Sequence, residues 1–211
     1  MGRIKLLIGC SLLLPAAQAI AGASCTYDTW RWHSQSQTAV AHQQVVKPYA
    51  ELSDEERDRR SGCSVCREDQ REVRLPGIAP FSLCHRYAVP VTAMLRKLIA
   101  AGVPIKSVTG YRVGRTRGAL DNLGRRTGFS NHSYGIALDI NEAANGLYSD
   151  CVTFHRRCRL LRGGPWMPGR NIYSLTPQSP LVRGFAALGF KWGGKIAGQQ
   201  KDFMHFSPTG Y

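Results

Sequence analysis

Six cysteines constrain this chain more than any other feature. Cys25, Cys63, Cys66, Cys84, Cys151 and Cys158 all follow an apolar leader that holds the seventh, Cys10. In the leader, Arg3 and Lys5 make a short positive start and Leu6 to Pro15 is an apolar run. Ala17-Gln18-Ala19, Ala19-Ile20-Ala21 and Ala21-Gly22-Ala23 then each fit the small-residue cleavage pattern. Residues 1–23 therefore read as a secretory signal peptide, which places the protein in the periplasm or outside the cell. The run is about half of the ~20 apolar residues that a membrane span needs, so no stable span is expected. The stretch before Cys10 is also too short for a lipoprotein signal. In an oxidising compartment an even set of cysteines reads as a disulfide framework. Cys63-x-x-Cys66 could form half of a metal knuckle, but no second C-x-x-C follows it. Cys151 and Cys158 enclose a short loop and are expected to pair. Cys25, Cys63, Cys66 and Cys84 would pair among themselves, in an order that sequence leaves open.

The 211-residue chain has 28 basic and 14 acidic residues, a net +14. Without Arg3 and Lys5 there remain 26 basic against 14 acidic residues, or +12. Such a balance favours anionic partners. Export makes nucleic acid the weaker choice and an anionic cell-envelope surface the stronger one.

Residues 24–79 are polar and predict an irregular, cysteine-bearing arm, within which Ser53 to Arg57 reads as a capped helical turn. Residues 80–211 carry the periodic signals. Tyr87, Val91, Met94, Leu95, Leu98 and Ile99 recur at helical spacing, and Gly102 and Pro104 end that helix. Ile105 to Tyr111 reads as a strand, and Val113 to Ser130 as a Gly- and Arg-rich loop. Gly135 to Asn141 alternates as a second strand, with Gly135, Ala137 and Asp139 on one face. Residues 142–178 read as a long loop. Ser179-Pro180 opens a helix that ends before Gly189, and Phe190–Trp192 and Phe203–Phe206 read as short strands. The simplest assembly is α+β, with helices on a small, mostly antiparallel sheet.

Two segments carry candidate chemistry. In Ser130-Asn131-His132-Ser133-Tyr134-Gly135-Ile136-Ala137-Leu138-Asp139, a His at the mouth of a strand and an Asp inside it can converge on one metal ion. An Asp in an apolar strand is costly unless it is paired or ligates a metal. In Lys201-Asp202-Phe203-Met204-His205-Phe206, a second His is preceded by an acid. Two imidazoles and one carboxylate leave a tetrahedral zinc site one open position. A carboxylate that is not a ligand can then move the proton, and Asp202 is placed for that role.

His-x6-Asp followed by Asp-x-x-His resembles the zinc D-alanyl-D-alanine carboxypeptidases and L-alanyl-D-glutamate endopeptidases of the lysostaphin, D-Ala-D-Ala peptidase and hedgehog group. Ser130, His132, Gly135, Ala137 and Asp139 match that family's signature. Trp192-Gly193-Gly194 and Asp202 to Phe206 resemble its closing motifs, and Thr109-Gly110-Tyr111-Arg112 resembles a strand end whose Arg faces the site. The similarity covers roughly residues 80 to 207. It implies a hedgehog/D-Ala-D-Ala-peptidase-like fold, Zn2+ on His132, Asp139 and His205, Asp202 as general base, and Arg112 polarising the scissile carbonyl or binding a substrate carboxylate. It further implies hydrolysis of peptidoglycan peptides by a monomeric exported enzyme. The cysteine-bearing arm and residues 142–178 lie outside the shared pattern. Arg115, Arg117, Arg125 and Arg126 read as surface residues, and His33, His42, His85 and His155 as structural or surface ones. The alternative is a non-catalytic wall-binding module that keeps the fold, although such a binder needs neither Asp202 nor Arg112.

Overall fold

The computed structural model describes residues 23–211, so the signal peptide reading lies outside the described residues. The polar arm departs from expectation first. It opens with a long antiparallel hairpin, β1 (Ser24–His33) and β2 (Thr38–Pro48). Most of β2 is exposed, so it carries none of the apolar alternation by which a strand is recognised. A buried cluster holds the hairpin down. The Glu56 carboxylate accepts hydrogen bonds from the Tyr27 hydroxyl and pairs with Lys47 Nζ at 2.5 Å. Glu56 also closes the expected capped turn, accepting the Ser53 backbone N–H at 2.8 Å and its hydroxyl at 2.9 Å.

Two short strands, β3 (Arg57–Asp58) and β4 (Cys63–Ser64), and a hairpin of β5 (Gln70–Leu75) and β6 (Ile78–Cys84) lead into α1 (His85–Ala100). That helix buries Ala88, Val91 and Leu95 on the predicted face and ends at Gly102, which takes φ +74°. The first predicted strand is short, β7 (Val108–Thr109). The Gly- and Arg-rich stretch expected as a loop instead forms a hairpin, β8 (Arg115–Leu120) and β9 (Arg126–Phe129). The Asp121 carboxylate ties its turn by accepting the Leu123 and Arg125 N–H groups. Next comes β10 (Leu138–Ile140), and the expected 142–178 loop contains β11 (Leu147–Ser149) and β12 (Arg159–Arg162). The chain closes with α2 (Pro180–Ala187), β13 (Lys191–Trp192), β14 (Lys201–Asp202) and β15 (His205–Ser207).

Two two-stranded sheets, β3-β4 and β5-β6, accompany three larger ones. The central one runs β13-β15-β10-β7, and the others run β2-β1-β8-β9 and β12-β11-β14. Pairing is antiparallel except where β1 meets β8, and the two helices pack over the central sheet, so the class is α+β. At the helix crossing, a Cβ on Gly184 would lie 2.9 Å from Met94 Sδ, so the glycine permits the close approach. Phe185 of α2 stacks on Phe206 of β15 at 4.4 Å in the dry centre. Burying each ring contributes roughly 1.5–3 kcal/mol. Among the described residues, no helix is long and apolar enough to cross a membrane.

All six downstream cysteines are paired. Cys151 joins Cys158 as expected, and the other four form Cys25–Cys66 and Cys63–Cys84. Cys63-x-x-Cys66 therefore splits between two bridges. One clips the β1–β2 hairpin to the body and the other reaches the first residue before α1. Thiol titration of unreduced protein should find no free thiol among these six, and a peptide map should link these pairs; a free thiol at Cys63 or Cys66 would contradict the framework.

Candidate metal centre

Strand register explains why three distant residues meet. Asp139 on β10 lies directly opposite His205 on β15, and on its other side opposite Thr109 on β7. Directly opposed side chains in an antiparallel pair are close neighbours. His132 comes from a 3-10 turn, Asn131–Tyr134, that precedes the strand. Gly135 ends that turn with φ +65°, and a Cβ there would collide with Gln70 and the Cys84 backbone. Its expected role as a small residue on the Asp139 face of a strand is thus replaced by another. It must be glycine because the chain turns through left-handed conformation against a neighbouring backbone.

The three side chains converge in a buried site. His132 Nε2 lies 3.2 Å from Asp139 Oδ1 and 3.3 Å from His205 Nδ1, and His205 Nδ1 lies 3.0 Å from Asp139 Oδ1. A tetrahedral ion with bonds of ~2.0–2.1 Å holds its ligand atoms about 3.3 Å apart. The donor set fits such an ion in both kind and spacing, and these residues form a cluster that could hold a metal ion. The surroundings orient the ligands. His132 Nδ1 donates to the Gly110 carbonyl at 2.8 Å, which leaves Nε2 as the inward acceptor. Asp139 Oδ2 accepts from Arg112 at 2.8 Å, which leaves Oδ1 free to face the histidines. Gly110 can supply its carbonyl because it presses against the Ser82 carbonyl of β6, where a Cβ would not fit.

Electrostatics match this geometry. Burial pushes the His132 imidazole below its ordinary pKa, outweighing the Asp139 charge, and so keeps the ligand neutral. Burial would raise the Asp139 carboxyl, but the adjoining His132 and His205 hold it well below the usual carboxylate range. Burial likewise works against charge on His205, yet its bond to Asp139 raises it above an ordinary histidine.

Asp202 sits at the edge of the same cleft. Its β14 is held by β11, where Asp202 faces Leu147, so the 142–178 segment supports the acid. The Trp192-Gly193-Gly194 motif braces its other side: Trp192 Nε1 donates to the Phe203 carbonyl at 2.7 Å, and Gly193 packs where a Cβ would strike the Asp202 carbonyl. Asp202 is partly exposed as a residue, but its Oδ1 is buried without a partner. Burial pushes its carboxyl up to about 7; the nearby His205 works against that rise and the Asp139 charge adds to it. A folded pKa above the unfolded value of ~3.9 means that the folded chain binds more protons between these values. Stability from this group is therefore present at low pH and lost as pH rises through about 7. With metal chelated, Asp202→Asn should melt increasingly above wild type as pH goes from 4.5 to 8. An advantage independent of pH would refute this carboxyl's assignment.

The cleft encloses about 780 Å3 and is lined by His132, Asp139, His205, Asp202 and Arg112 together with residues that sequence did not single out. Arg117 and Arg126, expected at the surface, line it, whereas Arg115 and Arg125 pair with Glu55 and Asp121. Trp30 and Trp32 of the arm line it too, as do Leu161 and Arg162 of β12. The Trp-x-Trp alternation in β1 was the available signal, hidden by the polar strand beside it. None of His33, His42, His85 and His155 joins the cluster.

Fold and site together define a buried two-histidine, one-aspartate centre with a separate titratable acid, at the floor of an arginine-lined cleft. Residues 124–208 match the family described as D-alanyl-D-alanine carboxypeptidase, the family that the motifs resemble. The matched segment takes in His132, Asp139, Asp202 and His205, with Arg112 just upstream. Comparisons with curated proteins and with solved structures gave no match.

Proposed function

We propose that this chain is an exported zinc peptidase that hydrolyses peptide bonds in peptidoglycan stem peptides. The observation that carries the reading is the convergence of His132 Nε2, Asp139 Oδ1 and His205 Nδ1 beside the unpartnered Asp202 carboxyl. A zinc ion on those three atoms would supply Lewis acidity to water and to the scissile carbonyl. Asp202 then takes a proton from the attacking water as its oxygen bonds to the carbonyl carbon. It passes that proton to the amine nitrogen as the C–N bond breaks, so the carboxylate is regenerated. Arg112 holds Asp139 through one nitrogen, and its Nε, buried without a partner, leaves donor capacity for a substrate carbonyl or carboxylate. The three disulfides and the leader in residues 1–23 support a periplasmic or secreted location. The net positive charge and the cleft arginines support attraction to anionic wall material, and the leader and disulfides weigh against nucleic acid as the partner; in this reading the protein acts as a monomer.

The test is mass spectrometry of defined muropeptides after incubation with the purified protein and zinc. Loss of one residue or scission of the stem is expected. Tight binding to sacculi with no cleavage of any muropeptide would favour a wall-binding module instead.

A further inference from the structure

The cleft is larger than the metal centre requires, and its far wall is built by the arm. We propose that this wall is a second substrate subsite that takes a sugar ring of the glycan strand, with Trp30 and Trp32 against the ring face and Arg117 at its oxygen substituents. The proposal rests on the wall-peptidase reading for its substrate and on separate observations for its location.

The indoles of Trp30 and Trp32 lie edge to face, centroids 6.4 Å apart, half-buried on the cleft side of the sheet. Among the described residues neither indole N–H has a protein partner, whereas those of Trp166 and Trp192 both do. A pyranose offers what such a surface lacks: an apolar C–H face for the ring and oxygens for the N–H. The pair is also held in place. A Cβ on Gly114 would lie 2.6 Å from the Trp30 ring, so the indole seats directly on backbone two residues from Arg112. Opposite, Ala41 adopts φ +52° where the β1–β2 register shifts between Thr29 and Arg31. Bulges re-aim neighbouring side chains, and a non-glycine residue in the left-handed region is strained.

Arg117 differs from its neighbours. Arg31 and Arg125 share Asp121 and Arg115 has Glu55, but Arg117 has no carboxylate partner among the described residues, and its guanidinium lies over the Tyr211 ring at 5.6 Å. It is a partly buried cation facing the cleft. Because β1 lies between β2 and β8, the strand that carries Trp30 and Trp32 offers no free edge on which to pair an extended peptide. It presents side chains, among them Ser34, Gln37 and Thr116, which suits a sugar better than a backbone.

The test uses the full secreted chain with a stem peptide free or attached to its N-acetylglucosaminyl-N-acetylmuramic disaccharide. Trp32→Ala should raise KM for the disaccharide peptide about tenfold, the scale of one aromatic contact, leave kcat unchanged and move KM for the free peptide less than twofold. Trp32→Phe should keep most of the affinity, and Arg117→Gln should show the same selective loss. Equal losses on both substrates, or none on either, would overturn the proposal. A second arm does not depend on hydrolysis: the disaccharide alone, titrated into chelated protein, should change tryptophan fluorescence in wild type but not in Trp32→Ala. No change in wild type would overturn the subsite even if wall peptides are cleaved, and a saturable change would support it even if they are not.

Discussion

Asp202→Asn should abolish hydrolysis while leaving the metal in place. The amide is nearly isosteric but cannot accept the proton of the attacking water, so kcat should fall by ~10²–10⁴-fold, the usual scale of general acid–base catalysis. Zinc content, measured by atomic absorption on dialysed protein, should stay near that of wild type because Asp202 lies outside the convergent triad. The buried Oδ1 without a partner and the carboxyl pushed up to about 7 describe an acid poised to exchange protons near neutrality. Cleavage by the variant at the wild-type rate would show that another group carries the proton.

His205→Ala should do the reverse and remove the metal. Losing a coordinating nitrogen leaves His132 and Asp139, and the drop in zinc affinity should exceed the 10–100-fold typical of changes to outer-shell partners. A thermal measurement reads this without activity. Saturating zinc at ~1,000 times its Kd stabilises a protein by about 4 kcal/mol, so wild type should melt several degrees higher with zinc than with chelator. That difference should vanish in His205→Ala. Wild-type zinc content in both His205→Ala and His132→Ala would rule out the triad. Asp139→Asn should lie between, because an amide keeps the shape but withdraws the charge that faces both histidines and Arg112.

The two variants come apart because the residues, three positions apart, belong to different sheets. His205 is on β15 in the central sheet, and Asp202 is on β14, paired to the β11 strand of the 142–178 segment. That segment read as an unassigned loop. Its register with β14 shows that it shapes the cleft edge on which the acid sits, with Leu161 and Arg162 in the lining.

Sequence alone determined the parts of this protein that depend on local chemistry. Helix α1 was legible because its buried face repeats at helical spacing, and α2 because Ser179-Pro180 and Gly189 punctuate it. The spacing of His132, Asp139, Asp202 and His205 pointed to a metal and an acid because few other arrangements justify those residues amid apolar neighbours. Tertiary structure decided everything that depends on which strand lies beside which. The register that sets Asp139 opposite His205, the pairing of Cys25 with Cys66 and Cys63 with Cys84, and the left-handed turn at Gly135 all follow from long-range packing. The hairpins β1–β2 and β8–β9 stayed hidden for the same reason. β2 and the end of β8 are polar and solvated, so no apolar alternation announces them and the Trp-x-Trp signal of β1 is obscured, and the two hairpins become a cleft wall only by packing against each other where Arg31 pairs with Arg115.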